Sequence, residues 1–367
     1  MKILHISGAK GWGGNEQQML YILPELQQLG CENVIYGVQD SVLQQLSAPL
    51  AIRFIAAKAP KLNKWANYAD LKKVIQREKP DLLHLHTSDA LTVFTLADAL
   101  HGLGVKAVFS KKGMGSSSSM LSKFKYNYRN VCAIFCVSQS VERDFSVILS
   151  ERNRSKTRVI HDSVALSILD TPAPFDLREK YSISATQKVV GNIANHSAAK
   201  DISTLIATVD HWVNGLGRTD ITLVQMGEFS KLTPAYLAEV ENKNLTKNIV
   251  FTDKISQAFA LNPQLDVFLM TSQREGGPTS VLEALLFGSA VVSTKVGVVP
   301  QAIEHGKTGY IAEVKDAIAL AKYVIDLVDH PEKAKSFGQT AAPLIAQHFN
   351  AQTIARQTLE AYQELVN

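Results

Sequence analysis

The chain has 367 residues, 46% of them hydrophobic and 20% charged, with a formal net charge of +4. This composition excludes a disordered or fibrous protein, and the length exceeds one ordinary domain but suits two of about 150–180 residues each. The opening Met1-Lys2-Ile3-Leu4-His5-Ile6-Ser7 is too short and too alternating for a secretory leader, and no apolar run approaches the ~18–20 residues of a membrane span.

Three cysteines, with Cys132 and Cys136 inside one apparent strand, give neither a disulfide framework nor metal-ligand spacing, so they are expected in the core of a cytoplasmic protein. Short apolar runs at residues 3–7, 33–37, 51–55, 81–85, 105–110 and 133–137 alternate with helical patterns. In one of these, residues 15–29, Met19, Leu20, Ile22, Leu23 and Leu26 recur at helical spacing. Such alternation predicts a doubly wound parallel sheet, whose ligands bind at the carboxyl ends of the strands.

The first of those loops, Gly8-Ala9-Lys10-Gly11-Trp12-Gly13-Gly14-Asn15-Glu16, lacks the glycine spacing of a dinucleotide fingerprint, which argues against a dehydrogenase. A plain tight turn is the alternative reading. The fourth run ends His84-Leu85-His86-Thr87, with both imidazoles on one face of a strand. A zinc site would need further ligands that the sequence does not supply, so no metal is expected. After the fifth run come Lys111-Lys112-Gly113-Met114-Gly115 and then serines at 116–119, read as a mobile loop. Basic residues gather in two segments, Lys111, Lys112, Lys123, Lys125 and Arg129, then Arg143, Arg152, Arg154, Lys156 and Arg158. A solvated face is the ordinary explanation; attraction to anionic lipid head groups or to a phosphorylated acceptor is the functional one, and no motif points to nucleic acid.

Thr171-Pro172-Ala173-Pro174-Phe175 reads as a stiff linker, dividing the chain into domains 1–168 and 169–349. Further runs follow at 188–194, 221–226, 249–252, 265–271 and 290–294, so a second sheet and a ligand cleft between the domains are expected. Residues 351–366 form an amphipathic pattern.

The sharpest signal is Glu275-Gly276-Gly277-Pro278-Thr279-Ser280-Val281-Leu282-Glu283, a glycine-rich loop that feeds a helix closed by Gly288. Such a helix start offers backbone N–H groups and a positive dipole end to a phosphate. Ser280 and Glu283 are also spaced as a capping box, which any helix could use. Glu275 has no structural task visible in the sequence, and two carboxylates flanking an anion site suit a nucleotide sugar.

The stretch 266–309, with Glu275 and Glu283, Gly288, Gly297, Pro300 and the His305-Gly306-Lys307-Thr308-Gly309 turn, resembles the signature region of retaining glycosyltransferases of family 4. The resemblance implies a GT-B fold, α/β with two Rossmann-like domains facing a cleft. It also implies transfer of a hexose from a nucleotide diphosphate sugar, UDP most readily, to a hydroxyl of a bacterial lipopolysaccharide, exopolysaccharide or lipid-linked acceptor. Carried over residue by residue, Glu275 sits by the donor sugar, Glu283 on the ribose, and the backbone from Gly276, Gly277, Pro278 and Thr279 to Ser280 on the diphosphate. Gly13, Gly14 and Glu16 stand where the family closes over donor and acceptor, and His86 in its cleft wall. Lys111 and Lys112 stand where a histidine is usual and are expected at the acceptor mouth.

Lys200 matches the family's diphosphate lysine, whereas Asn195 replaces its arginine, and Val298-Val299-Pro300-Gln301 lacks a usual glycine and carboxylate. With no Asp-x-Asp in the chain, a metal-independent reaction without cofactor is expected, its leaving group stabilised by Lys200 and backbone amides. The helix at the end of the chain is expected to pack back on the first domain. A sugar-nucleotide epimerase of related fold and a non-catalytic nucleotide-sugar-binding protein are the alternatives.

Overall fold

The computed structural model describes residues 1–115 and 119–366. It divides into two compact units, residues 1–163 together with the terminal helix Ala351–Val366, and residues 164–350.

The first unit is a seven-stranded sheet of β1 (Lys2–Ser7), β2 (Glu32–Gly37), β3 (Arg53–Ala56), β4 (Leu82–Leu85), β5 (Ala107–Lys111), β6 (Val131–Cys136) and β7 (Thr157–Val159), in the order β3-β2-β1-β4-β5-β6-β7. Every pairing is parallel. Helices cover both faces, so the strands are apolar on both sides and read as continuous runs. One layer of core packs Leu4, Leu83 and Phe109 against Leu91 and Phe94 of the helix Ser88–His101. The other packs Ile3, Val108 and Phe135 against Met19, Leu23 and Leu26 of Gly14–Gln28 and against Ala355 and Tyr362 of Ala351–Val366.

The second unit has six parallel strands, β8 (Lys188–Ile193), β9 (Ile221–Met226), β10 (Ile249–Phe251), β11 (Val267–Met270), β12 (Val291–Thr294) and β13 (Tyr310–Ala312), in the order β10-β9-β8-β11-β12-β13. β13 is absent from the sequence reading because it is only three residues long and follows directly on the Gly306–Gly309 turn.

The boundary between the units falls at Ser163/Val164, not at 168, because Val164 and Ile168 are buried with Phe268, Met270 and Val281 of the second core. The proline-rich stretch is likewise not a free linker, since Phe175 packs on the cluster of Leu177 and Ile183. All three cysteines are free thiols, and burial raises the pKa of each. Among the described residues no helix is long and apolar enough to cross a membrane.

Candidate active site

In the second unit β8 and β11 are neighbours, so the loops leaving their carboxyl ends lie side by side. They are tied by backbone: the amides of Gln273 and Arg274 donate to the Ala199 carbonyl at 2.9 and 3.3 Å, and the Thr271 hydroxyl donates to the Asp201 carbonyl at 3.2 Å. This brings Lys200 to Glu275, Nζ to Oε1 at 2.5 Å, with both side chains partly open to solvent. Ser272 donates to the same carboxylate oxygen at 2.9 Å. The two residues expected to carry the chemistry are therefore in contact, and Glu275 has a structural partner that the sequence did not reveal.

The glycine-rich loop is braced from the other side by the turn after β12. Thr294 donates to the Ser272 carbonyl at 2.6 Å, and Gly297 has φ +54°. A Cβ on Gly297 would stand 2.3 Å from the Gly276 carbonyl oxygen, so both the conformation and the close approach require glycine.

The helix that follows is Thr279–Leu286, with Pro278 at its cap and no side-chain cap. The capping box does not form, because Ser280 lies inside the helix and is not its cap. Glu283 is buried, one turn in, among Val281, Leu282 and Ala284. Past the helix, Gly288 at φ +75° accommodates the left-handed residue, with the Ser289 amide on the Ala284 carbonyl.

Beneath the Lys200 loop is a polar network that the sequence reading missed. Gln225 donates to the Ala194 carbonyl at 2.6 Å and to Asn192 Oδ1, so its Oε1 accepts from His196 Nε2 at 2.8 Å. His196 Nδ1 then accepts from the Thr233 hydroxyl at 2.7 Å, and that oxygen accepts the Ser230 amide. Every member is satisfied, which fixes the tautomer and holds the loop rigid. Only the adjacent turn residues could have signalled it, because a lone histidine after a strand has no motif. Asn195 itself is exposed and accepts from the Ser197 hydroxyl at 3.3 Å. Arg274, also overlooked, is exposed next to Glu275.

In the first unit Gly13 is extended (φ −157°), and a Cβ on Gly14 would meet nothing within 4 Å, so the Gly-Gly pair is not a tight turn; the close approach is at Gly8, where a Cβ would stand 1.8 Å from the Asp89 carboxylate. Asn15 Nδ2 bridges the Glu16 carboxylate at 3.3 Å and the His86 carbonyl at 3.1 Å, which brings those two residues together. Burial raises the Glu16 pKa.

The partner that His84 and His86 lacked in sequence is His5 on neighbouring β1, and the three rings offer nitrogens within 4.8 Å of one another. They are already committed, however. Asn33 donates to Leu23 and accepts from His5 Nε2 at 3.1 Å, so His5 Nδ1 accepts from His86 Nε2 at 3.0 Å. His84 lies between the Tyr362 hydroxyl at 2.5 Å and the Ser110 hydroxyl at 2.7 Å. A cation would have to displace these bonds. Burial lowers all three imidazole pKa values, that of His5 to about 4. The cluster lines a small cavity of about 40 Å³ with Asn15, Gln18 and Lys112.

The two lysines at the end of β5 are not both the free surface charges expected at an acceptor mouth. Lys111 is buried and donates to the carbonyls of Gly113 and Gly115, and burial lowers its pKa. Lys112 is paired with the largely buried Asp162 at 2.5 Å. Lys125, also counted as surface charge, is buried on the Ser88 hydroxyl at 2.7 Å. Short backbone segments after the strands offered carbonyls and a carboxylate that only the folded chain places there. The expected mobile loop at 116–119 lies, except for Ser119, outside the described residues.

The family described as glycosyl transferases group 1 matches residues 175–343, and glycosyltransferase family 4 matches residues 12–167. The chain is 23% identical over 303 residues to N-acetyl-alpha-D-glucosaminyl L-malate synthase of Bacillus anthracis, covering 81% of this chain and 78% of that one. It is 23% identical to 2-deoxystreptamine N-acetyl-D-glucosaminyltransferase of Streptomyces fradiae, over 95% of this chain and 90% of that one. Its fold matches HepE of Anabaena in complex with UDP at a TM-score of 0.85 and 20% identity, over 99% and 100% of the two chains; the UDP-glucose complex of that protein matches at 0.81. With both halves matched and two Rossmann-like sheets in place, this chain belongs to the family 4 glycosyltransferases and has the GT-B fold.

Proposed function

We propose that the protein is a retaining hexosyltransferase that uses a UDP-sugar, needs no metal ion or other cofactor, and glycosylates a hydroxyl of a bacterial surface glycan or lipid-linked acceptor. The observation that carries this reading is the Lys200–Glu275 pair beside the uncapped start of Thr279–Leu286, with Glu283 buried one turn further in. Glu283 accepts the ribose hydroxyls, the amides of Gly276 to Ser280 take the diphosphate, and Glu275 faces the sugar. Lys200 is held by a carboxylate that is itself partly exposed, so an incoming diphosphate exchanges one anion for another on the same ammonium.

As the bond from the anomeric carbon to the UDP oxygen breaks, negative charge builds on the diphosphate, and Lys200 and the loop amides stabilise it without reorganising. The acceptor oxygen bonds to the anomeric carbon on the face that UDP leaves, and its proton passes to the departing phosphate oxygen. Configuration is thereby retained. Solved complexes of HepE with UDP and UDP-glucose support the choice of donor. For the acceptor side, Met120, Leu121 and Phe124 are exposed beside Lys123 on the helix Met120–Tyr126, which suits peripheral contact with an anionic membrane surface from the cytoplasm.

The test is incubation with UDP-glucose, UDP-galactose and UDP-N-acetylglucosamine, with and without lipid-linked oligosaccharides, in the presence of EDTA. Anomeric configuration is read by NMR. An inverted product, or activity that EDTA abolishes and Mg²⁺ restores, would overturn the mechanism.

A further inference from the structure

Two of the three tryptophans are exposed, and both lie in loops at the carboxyl edge of the first sheet. Trp12, after β1, is 48% exposed and Trp65, after β3, is 71% exposed, whereas Trp212 is fully buried in the second core. Tryptophan carries the largest apolar surface of any side chain, and leaving it in water is unfavourable unless something covers it.

The loop that presents Trp65 is rigidly built. Leu62 anchors it in the core. Fully buried Asn67 accepts the Ala59 amide at 2.9 Å and donates to the carbonyls of Lys61 and Leu62 at 3.0 and 3.1 Å. The Tyr68 hydroxyl donates to the Asn63 carbonyl at 3.2 Å, and its ring meets the Trp65 indole edge-on at 5.4 Å, which orients that ring. Everything that points inward is satisfied. What points outward is Lys58, Lys61, Lys64 and Trp65, all exposed, and the three lysines form no ion pair among the described residues. No acidic residue lies between 57 and 66.

We propose that this loop binds an anionic glycan, one sugar ring lying on the Trp65 indole and phosphate or carboxylate groups meeting Lys58, Lys61 and Lys64, so that the acceptor of this glycosyltransferase is a negatively charged saccharide. The inference deepens the proposed function and rests on it for the word acceptor. A pyranose ring presents a face of C–H groups that packs flat on an aromatic ring while its hydroxyls stay in water. Three flexible ammonium groups spaced three residues apart suit charges repeated along a chain, where a planar guanidinium would suit one fixed anion. Preorganisation lowers the cost of binding, because the loop need not be ordered by its ligand. A bilayer is a poorer occupant, since Trp65 is the loop's one large exposed apolar side chain.

The full chain is titrated by calorimetry with hexagalacturonate, a phosphorylated mannose oligosaccharide, neutral cellohexaose, inorganic polyphosphate and phosphatidylglycerol vesicles. At least one charged oligosaccharide should bind at least tenfold more tightly than cellohexaose. Trp65→Ala should weaken that binding at least tenfold, and Lys58→Gln/Lys61→Gln/Lys64→Gln should do the same and flatten its salt dependence. Circular dichroism and UDP affinity, measured on each variant, report that the fold and the second unit are intact. Polyphosphate binding as tightly as the charged glycans and unaffected by Trp65→Ala would reduce the loop to a charge patch. Binding of vesicles alone would make it a membrane contact, and binding of no glycan would also overturn the proposal. Wild-type protein that binds UDP but no charged glycan loses only this inference; one that binds the glycan but no UDP loses the donor assignment instead.

Discussion

Both sheets end in loops that carry lysines, but Lys200 and Lys111 are held in opposite ways. In the second unit Lys200 is partly exposed and paired with a partly exposed carboxylate on the neighbouring loop. In the first, Lys111 is buried among backbone carbonyls, while Lys112 is partly exposed on a largely buried aspartate, much as Lys200 is on Glu275. An anion arriving at Lys200 replaces one partner with another of the same sign, whereas one arriving at Lys111 would have to extract the ammonium from the fold. The difference separates a cation that is available to a ligand from one that is part of the structure, although both look alike in sequence.

Acidification should distinguish the two units most strongly. His5, His84 and His86 are buried neutral with pKa values below the usual 6.5, so the unfolded chain binds more protons than the folded one as pH falls through that value. Their stabilisation is complete above about pH 6.5 and is lost as pH falls below that, for His5 down to about 4, at up to about 4 kcal/mol per pH unit if all three respond. Hydrogen exchange at pH 5 should show the first unit opening before the second, and His5→Asn should reduce the slope. Equal protection loss in both units would break the comparison.

Lys200→Ala should lower turnover about 10²–10³-fold, or roughly 2.7–4 kcal/mol, as expected for losing one preorganised stabiliser of the leaving group. Lys112→Ala should instead cost stability, about 1–3 kcal/mol by urea denaturation, because Asp162 loses its partner, with UDP affinity unchanged. If Lys112→Ala reduces UDP affinity and Lys200→Ala does not, the assignment of the two lysines is reversed.

Glu283→Ala should weaken UDP by about 1.5–3 kcal/mol in calorimetry, since buried hydroxyls lose a charged acceptor. The smallest effect on the nucleotide is expected from Glu275→Gln, which should leave UDP affinity within about twofold while turnover falls, because its carboxylate serves the sugar and Lys200. Wild-type turnover in this variant would remove Glu275 from the reaction.

The strands of both units were legible because a parallel sheet covered on both faces needs uninterrupted apolar runs, and 3–7, 33–37 and 221–226 are such runs. The loop from Glu275 to Glu283 was legible for a different reason: glycines and carboxylates at a strand-to-helix junction have few structural uses. Boundaries were less so. Val164 and Ile168 could join either core by composition, and only packing on Phe268 and Met270 assigns them to the second.

By itself the sequence determined the two doubly wound sheets and the place of the glycine-rich loop at a helix start, since both follow from short-range pattern and backbone chemistry. Only the tertiary structure decided which charges are available. His5 meets His86 across strands 81 residues apart, Lys200 meets Glu275 across 75, and Lys112 meets Asp162 across 50. Whether a charged side chain finds a carbonyl, a carboxylate or water depends on such contacts, because electrostatic partners are set by distance in space and not by spacing along the chain.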